Sequence, residues 1–82
     1  MTTLSAKSRE RVARNFVKAY GRTRFRRLIE ALEGGESGQV IANEFGVSRE
    51  RVRQWKNTFG QVVTLYQLHP EVARILQEAR SA

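Results

Sequence analysis

One spacing constrains this chain more than any other: Ala42, Gly46, Val52 and Trp55, in the pattern Ala-x3-Gly-x5-Val-x2-Trp. A small side chain at position 42 lets a second helix cross close over the first. Gly46, one helical turn on, accepts the positive φ of a tight turn without steric cost. Ser48 then stands where a hydroxyl can cap the next helix by accepting from an exposed amide. Val52, Trp55 and Phe59 fall on one face of that helix, and Ile41, Phe45 and Val47 supply apolar partners for it. Each requirement has its own mechanical cause, and together they describe a helix-turn-helix over residues 38–59.

The flanking segments extend the helical reading. Ser5 or Ser8 caps a first helix that runs to Tyr20, with Val12, Ala13, Phe16, Val17 and Tyr20 as its buried stripe and Gly21 ending it in a left-handed conformation. From Thr23 to Glu33, Phe25, Leu28, Ile29 and Leu32 give the i, i+3, i+4, i+7 pattern of an amphipathic helix. Gly34-Gly35 stops it, and Ser37 is a candidate N-cap for the next. Gly60 is a natural stop after Phe59. Residues 61–68 suit either an extended segment or a helical turn. Pro70 opens a last helix, whose apolar face is Val72, Ile75, Leu76 and Ala79. The expectation is therefore an all-α fold, one small helical domain over residues 1–82 with the helix-turn-helix at its centre.

Charge narrows the function. The 82-residue chain has a net charge of +7 and no cysteine. A domain this small, with neither disulfide nor thiolate metal site, must draw its stability from helix packing or from self-association. Residues 1–33 carry a net charge of +6 and residues 34–82 only +1. Such an imbalance favours an anionic partner. On the first helix Lys7, Arg11, Arg14 and Lys18 share the face opposite the apolar stripe, which suits a solvated surface or a phosphate-tracking row. The arginine-rich stretch Thr2–Tyr20 has something of the composition of a transit peptide, but its apolar spacing suits a docked helix. No apolar run is long enough for a membrane span, so no membrane partner is expected. Absence of cysteine fits a reducing interior, and the expected location is the cytoplasm, in association with the nucleoid.

The second helix of the motif carries the chemistry. With Val52, Trp55 and Phe59 turned inward, Arg49, Glu50, Arg53, Gln54 and Asn57 project outward. A recognition helix in the major groove presents such types to base edges: Arg pairs bidentately with guanine, Gln or Asn with adenine, and Glu accepts from cytosine or fixes a neighbouring Arg. An exposed helix with ordinary intrahelical ion pairs would account for the same charges. Ser37, Gln39, Arg51, Lys56 and the arginines Arg22, Arg24, Arg26 and Arg27 are the candidates for phosphate contact. No catalytic constellation accompanies them. His69 has no partner at metal or triad spacing, Gly34-Gly35 lacks the lysine of a phosphate loop, and the glutamates are scattered. The expectation is a non-enzyme without cofactor or metal.

The run Gly46-Val47-Ser48-Arg49-Glu50-Arg51-Val52-Arg53-Gln54 resembles the recognition segment of region 4 in bacterial primary sigma factors. In that family the positions matching Arg49, Glu50, Arg53 and Gln54 touch promoter −35 DNA, and the resemblance implies those roles here, with RNA polymerase as a partner. It covers about a quarter of the chain, and Trp55 stands where the family usually has an aliphatic residue. The ending Val-x-x-Trp-Lys is also similar to small bacterial and phage regulators and to the DNA-binding ends of transposases. The expected function is a sequence-specific, double-stranded-DNA-binding transcriptional regulator with helix 48–59 in the major groove. One motif reads few base pairs, so a homodimer on a two-fold site is expected, with 61–80 as its dimerisation segment. The alternatives are an accessory protein of recombination or phage packaging, and a protein-binding adaptor of the transcription machinery.

Overall fold

A computed structural model of the chain describes residues 5–81. Met1–Leu4 and Ala82, which the single-domain reading takes in, lie outside the described residues. Five helices and one short hairpin follow in order: α1 (Ala6–Tyr20), α2 (Arg22–Glu33), α3 (Gly38–Phe45), α4 (Arg49–Phe59), β1 (Gly60–Val62), β2 (Tyr66–Leu68) and α5 (Pro70–Ser81). The fold is helical, as its periodicity predicts, and the ambiguous stretch resolves as a two-stranded antiparallel hairpin with Gln61 opposite Gln67.

The ends of the helices follow from local chemistry. Ser5, not Ser8, caps α1, its side chain accepting from the amide of Ser8. Ser37 and Ser48 cap α3 and α4 by accepting from the amides of Val40 and Arg51. At the end of α2 the amides of Gly35 and Glu36 turn back to the carbonyls of Leu32 and Ala31, at 3.3 and 3.0 Å. Gly35, with φ +73°, makes that reversal possible. Gly21 has φ 93° and ψ 164°, which is positive φ but outside the left-handed helical region the sequence suggested, and it starts α2 as well as ending α1.

Phe16 is the centre of the core. Its ring lies 4.9 Å from Trp55, 5.7 Å from Phe25, 6.1 Å from Phe45 and 6.2 Å from Phe59, centroid to centroid. One residue of α1 thus touches α2 and both helices of the motif, and fixes how the motif sits on its support. Tyr20, expected in the buried stripe, is 38% exposed. Its ring caps the cluster from outside, stacked 4.5 Å from Phe16.

In the C-terminal third one expectation is sharpened and one is corrected. Gly60 does stop α4, as expected, and its backbone there is extended with φ −167°. What requires glycine there is the hairpin, because a Cβ would lie 2.3 Å from the carbonyl oxygen of Gln67 and 2.8 Å from the Tyr66 ring. The correction concerns α5, the larger part of the expected dimerisation segment 61–80. Its apolar face is not surplus surface for a dimer: Val72, Ile75, Leu76 and Ala79 are all buried within the chain's own core. α5 packs along α1 and α2, and an ion pair between Arg9 and the largely buried Glu71 ties it to α1. The most exposed large apolar side chains among the described residues are at the hairpin, where Val62, Val63 and Leu65 are 61, 65 and 74% exposed; Val40 on α3 is 52% exposed.

Candidate nucleic-acid interface

The turn of the motif is built as its spacing predicts. Gly46 is left-handed, with φ 67° and ψ 36°, and the amide of Val47 returns to the carbonyl of Ala42 at 3.0 Å. Ala42 is buried where α4 crosses, beside Ile41 and Phe45, and Val52, Trp55 and Phe59 face them. This inward anchoring leaves the other side of α4 in solvent.

That side brings together the five residues expected at base edges. Arg49, Glu50, Arg53, Gln54 and Asn57 are all exposed. Glu50 and Arg53 form a two-point pair: the Arg53 Nε and Nη2 donate to the two carboxylate oxygens at 3.1 and 2.6 Å. That contact holds the Glu50 carboxyl below its ordinary range and raises the already high pKa of Arg53. Both side chains remain more than half exposed, so the pair adds little to stability. Its effect is geometric, since it aims a planar guanidinium outward at low entropic cost. Among the described residues Arg49 and Arg51 make no ion pair.

The other end of α4 is held rigidly. The Tyr66 hydroxyl donates to the carbonyl of Lys56 at 2.5 Å, tying β2 to the last turn of α4. Burial first, and Glu33 second, push this phenol well above its usual pKa, so it stays a donor.

The candidates for phosphate contact do not all gather around α4. Ser37 and Gln39 lie exposed at the start of α3, with the Gln39 amide donating to Asn43 at 2.9 Å. Arg51 and Lys56 flank the outward face of α4. Arg26 is exposed and makes no ion pair among the described residues. Arg24 lies with its guanidinium 4.4 Å from the Phe45 ring centre and reaches the carbonyl of Glu44. Arg27 is held between α2 and α3 by Glu44 at 2.8 and 2.9 Å, Glu36 at 3.0 Å and Glu30 at 3.3 Å. Arg22 borders a groove between α1 and α5. The row Lys7, Arg11, Arg14 and Lys18 lies along the same groove, on the side of α1 turned away from Phe16 and hence from α4.

The Arg27 cluster has a pH signature. Its hydrogen bonds to Glu44 hold that carboxyl below its ordinary value. A carboxyl depressed in the folded chain contributes stability above its unfolded pKa, and loses it as pH falls through the folded value. The melting temperature should therefore drop as pH falls from about 5 to about 3, the window below an ordinary carboxylate pKa. In Arg27→Met the drop should be shallower, as measured by circular dichroism at several pH values. Equal slopes would show that the cluster contributes nothing to folding.

A family model described as a helix-turn-helix domain matches residues 24–69, more than half of the chain. The chain belongs to this helix-turn-helix family. The match starts within α2 and ends just after the hairpin, so it takes in the motif together with its support on both sides. No curated protein and no solved structure matches the chain. Membership of a helix-turn-helix family points to DNA as the partner. No helix among the described residues is long and apolar enough to cross a membrane, and no group of three metal-ligating side chains occurs among them.

Proposed function

We propose that this protein is a sequence-specific binder of duplex DNA that regulates transcription by occupying a promoter or operator. The observation that carries the reading is the outward face of α4. It presents Arg49, Glu50, Arg53, Gln54 and Asn57 on a helix whose opposite face is fixed in the core. In this reading α4 lies in the major groove, with its N-terminal half at the base edges. Ser37, Gln39, Arg51 and Lys56 take the phosphates on either side, and Arg26, exposed and without an ion pair among the described residues, joins them. Arg27 and Arg24 act instead as braces that set the angle between α2 and α3. The likeness of residues 46–54 to the recognition segment of sigma region 4 supports base reading by the same four positions.

The protein acts as a dimer on a two-fold site, and the hairpin is its contact. Residues 57–70 contain no Lys, Arg, Asp or Glu in a chain where such residues make up 28%. A hairpin meant for the phosphate backbone would carry cations, whereas this one exposes Val62, Val63 and Leu65. Its short strands also lack the charged side chains that usually guard an exposed edge. Two copies side by side, each with extents of 32 × 27 × 22 Å, are of a size to place two recognition helices one DNA turn apart, roughly 34 Å. The double variant Val63→Lys, Leu65→Lys should sediment as a monomer where the parent chain sediments as a dimer. Its affinity for a two-fold site should fall at least about tenfold through lost avidity. A parent chain that is monomeric both free and on DNA would remove the dimer from this account.

A further inference from the structure

The hairpin leaves α4 without a linker, since Phe59 ends the helix and Gly60 begins β1. At its root Leu68 packs against the core, and the amide of His69 donates to the carbonyl of Phe59 at 2.9 Å. At its far end Tyr66 stands opposite Val62, the last pair before the loop. From there the Tyr66 hydroxyl reaches back to the carbonyl of Lys56, within the last turn of α4. Its ring fills the space beside Gly60, where a Cβ would come within 2.8 Å of it. Among the described residues the Tyr66–Lys56 bond is the one side-chain hydrogen bond that joins the hairpin to a helix. The arm is thus held at its root and at its far pair, and Tyr66 is the strut.

A strut matters because the arm is a lever. Gly60 and Thr64, at the tip, are four residues apart, a reach of up to roughly 13 Å at about 3.3 Å per residue. A swing of about 15° at Gly60 moves the tip by roughly 3.4 Å, which is one base-pair step of the duplex. In a two-fold dimer both arms contribute, so the shift between the two recognition helices is larger still. One base-pair step also turns the far half-site by roughly 35° about the duplex axis, given about 10.5 pairs per turn. A joint loose by that much accepts neighbouring spacings, whereas a braced joint accepts one.

We propose that Tyr66 is a positioning residue that sets the spacing of the two half-sites, by fixing the angle between each hairpin and its own recognition helix. This role rests on the dimer reading above, in which the exposed Val62, Val63 and Leu65 meet those of a second copy. The hairpin springs from the C-terminal end of α4, so that contact lies on the Phe59 side of each recognition helix. Every change in hairpin angle is then passed to the distance between the two helices. The hydroxyl acts through the last turn of α4 and not on the DNA. Tyr66→Phe isolates it: the ring stays against Gly60, and the Lys56 carbonyl still accepts from the Gly60 amide. The variant loses the strut without leaving an acceptor unpaired.

The test compares the parent chain with Tyr66→Phe and with Gln67→Ala, an exposed neighbour whose side chain makes no hydrogen bond among the described residues. Fluorescence anisotropy is measured on a single half-site, and on two-fold sites whose centre is shortened or lengthened by one or two base pairs. The parent chain should prefer one spacing over its neighbours by at least about tenfold. Tyr66→Phe should sediment as a dimer and bind the single half-site with the parent's affinity and base preference. It should nonetheless separate neighbouring spacings by no more than about threefold. Gln67→Ala should keep the parent's preference. The role of Tyr66 is overturned if Tyr66→Phe keeps that preference, or if Gln67→Ala loses it equally. It is overturned too if Tyr66→Phe sediments as a monomer, or weakens the single half-site as much as the pair. Those results leave the dimer reading standing. A parent chain that binds a two-fold site no more tightly than a single half-site overturns the dimer reading, and the role of Tyr66 falls with it.

Discussion

Replacing Phe16 with alanine should cost about 3–5 kcal/mol of folding free energy, the range found when a buried phenylalanine is removed. Phe16 is 4% exposed and contacts five other rings, so its removal opens a cavity on which several elements converge. A domain of this length has a total stability of roughly 4–12 kcal/mol. The loss is thus a large share of the whole, and it falls on the contact that seats the motif on α1. Trp55, the one tryptophan of the chain, lies in van der Waals reach of the cavity and reports on it. Urea denaturation followed by tryptophan emission should show a much lower midpoint, with a red-shifted starting signal. Tyr20→Ala, at the rim of the same cluster, should cost far less. Similar costs at 16 and 20 would show that the ring cluster does not centre on Phe16.

The second large effect is on DNA. Arg53→Ala should weaken binding to the preferred site by about 1–3 kcal/mol, and the preference at one base position should relax. That corresponds to between about 5-fold and 150-fold in Kd. Arg53→Lys should not restore binding, because a lysine cannot make the planar two-point contact that Glu50 prepares. Glu50→Ala should keep part of the affinity and lose discrimination, since the guanidinium would remain but no longer be aimed. Arg26→Ala should instead weaken all sequences alike and reduce the salt dependence. Fluorescence anisotropy on the preferred duplex and on single-base variants separates these outcomes. If Arg53→Ala changed neither affinity nor base preference, Arg53 would not read a base.

The parts of this protein that local rules determine were legible in its sequence. The caps at Ser37 and Ser48 and the turn at Gly46 need only neighbours within one helical turn, and each stands where its spacing put it. The inward face of α4 follows from the same periodicity, and the outward face is what remains. Tertiary partners were less legible. Arg26 and Arg27 are adjacent and chemically alike, yet one is exposed and makes no ion pair among the described residues while the other is bound by Glu44, seventeen residues away. Nothing at position 27 announces that carboxylate. Gly60 reads as a helix stop, whereas its real constraint is the Gln67 backbone across the hairpin. The apolar stripe of α5 shows that something covers it but not what, so the chain's own α1 and α2 could be mistaken for a second copy. Direction in space was likewise hidden: the charge of α1 was plain, but only the Phe16–Trp55 contact shows that it faces away from α4.

Whether α4 reads base edges in the major groove is decided by a selection coupled to methylation interference. Duplexes with a randomised centre would be selected on the purified protein, and the recovered site then methylated sparsely before rebinding. The expected result is an enriched two-fold motif in which methylation of guanine N7, in the major groove, blocks binding at the positions whose preference Arg53→Ala relaxes. Recovery of no motif, or interference confined to adenine N3 in the minor groove, would contradict it.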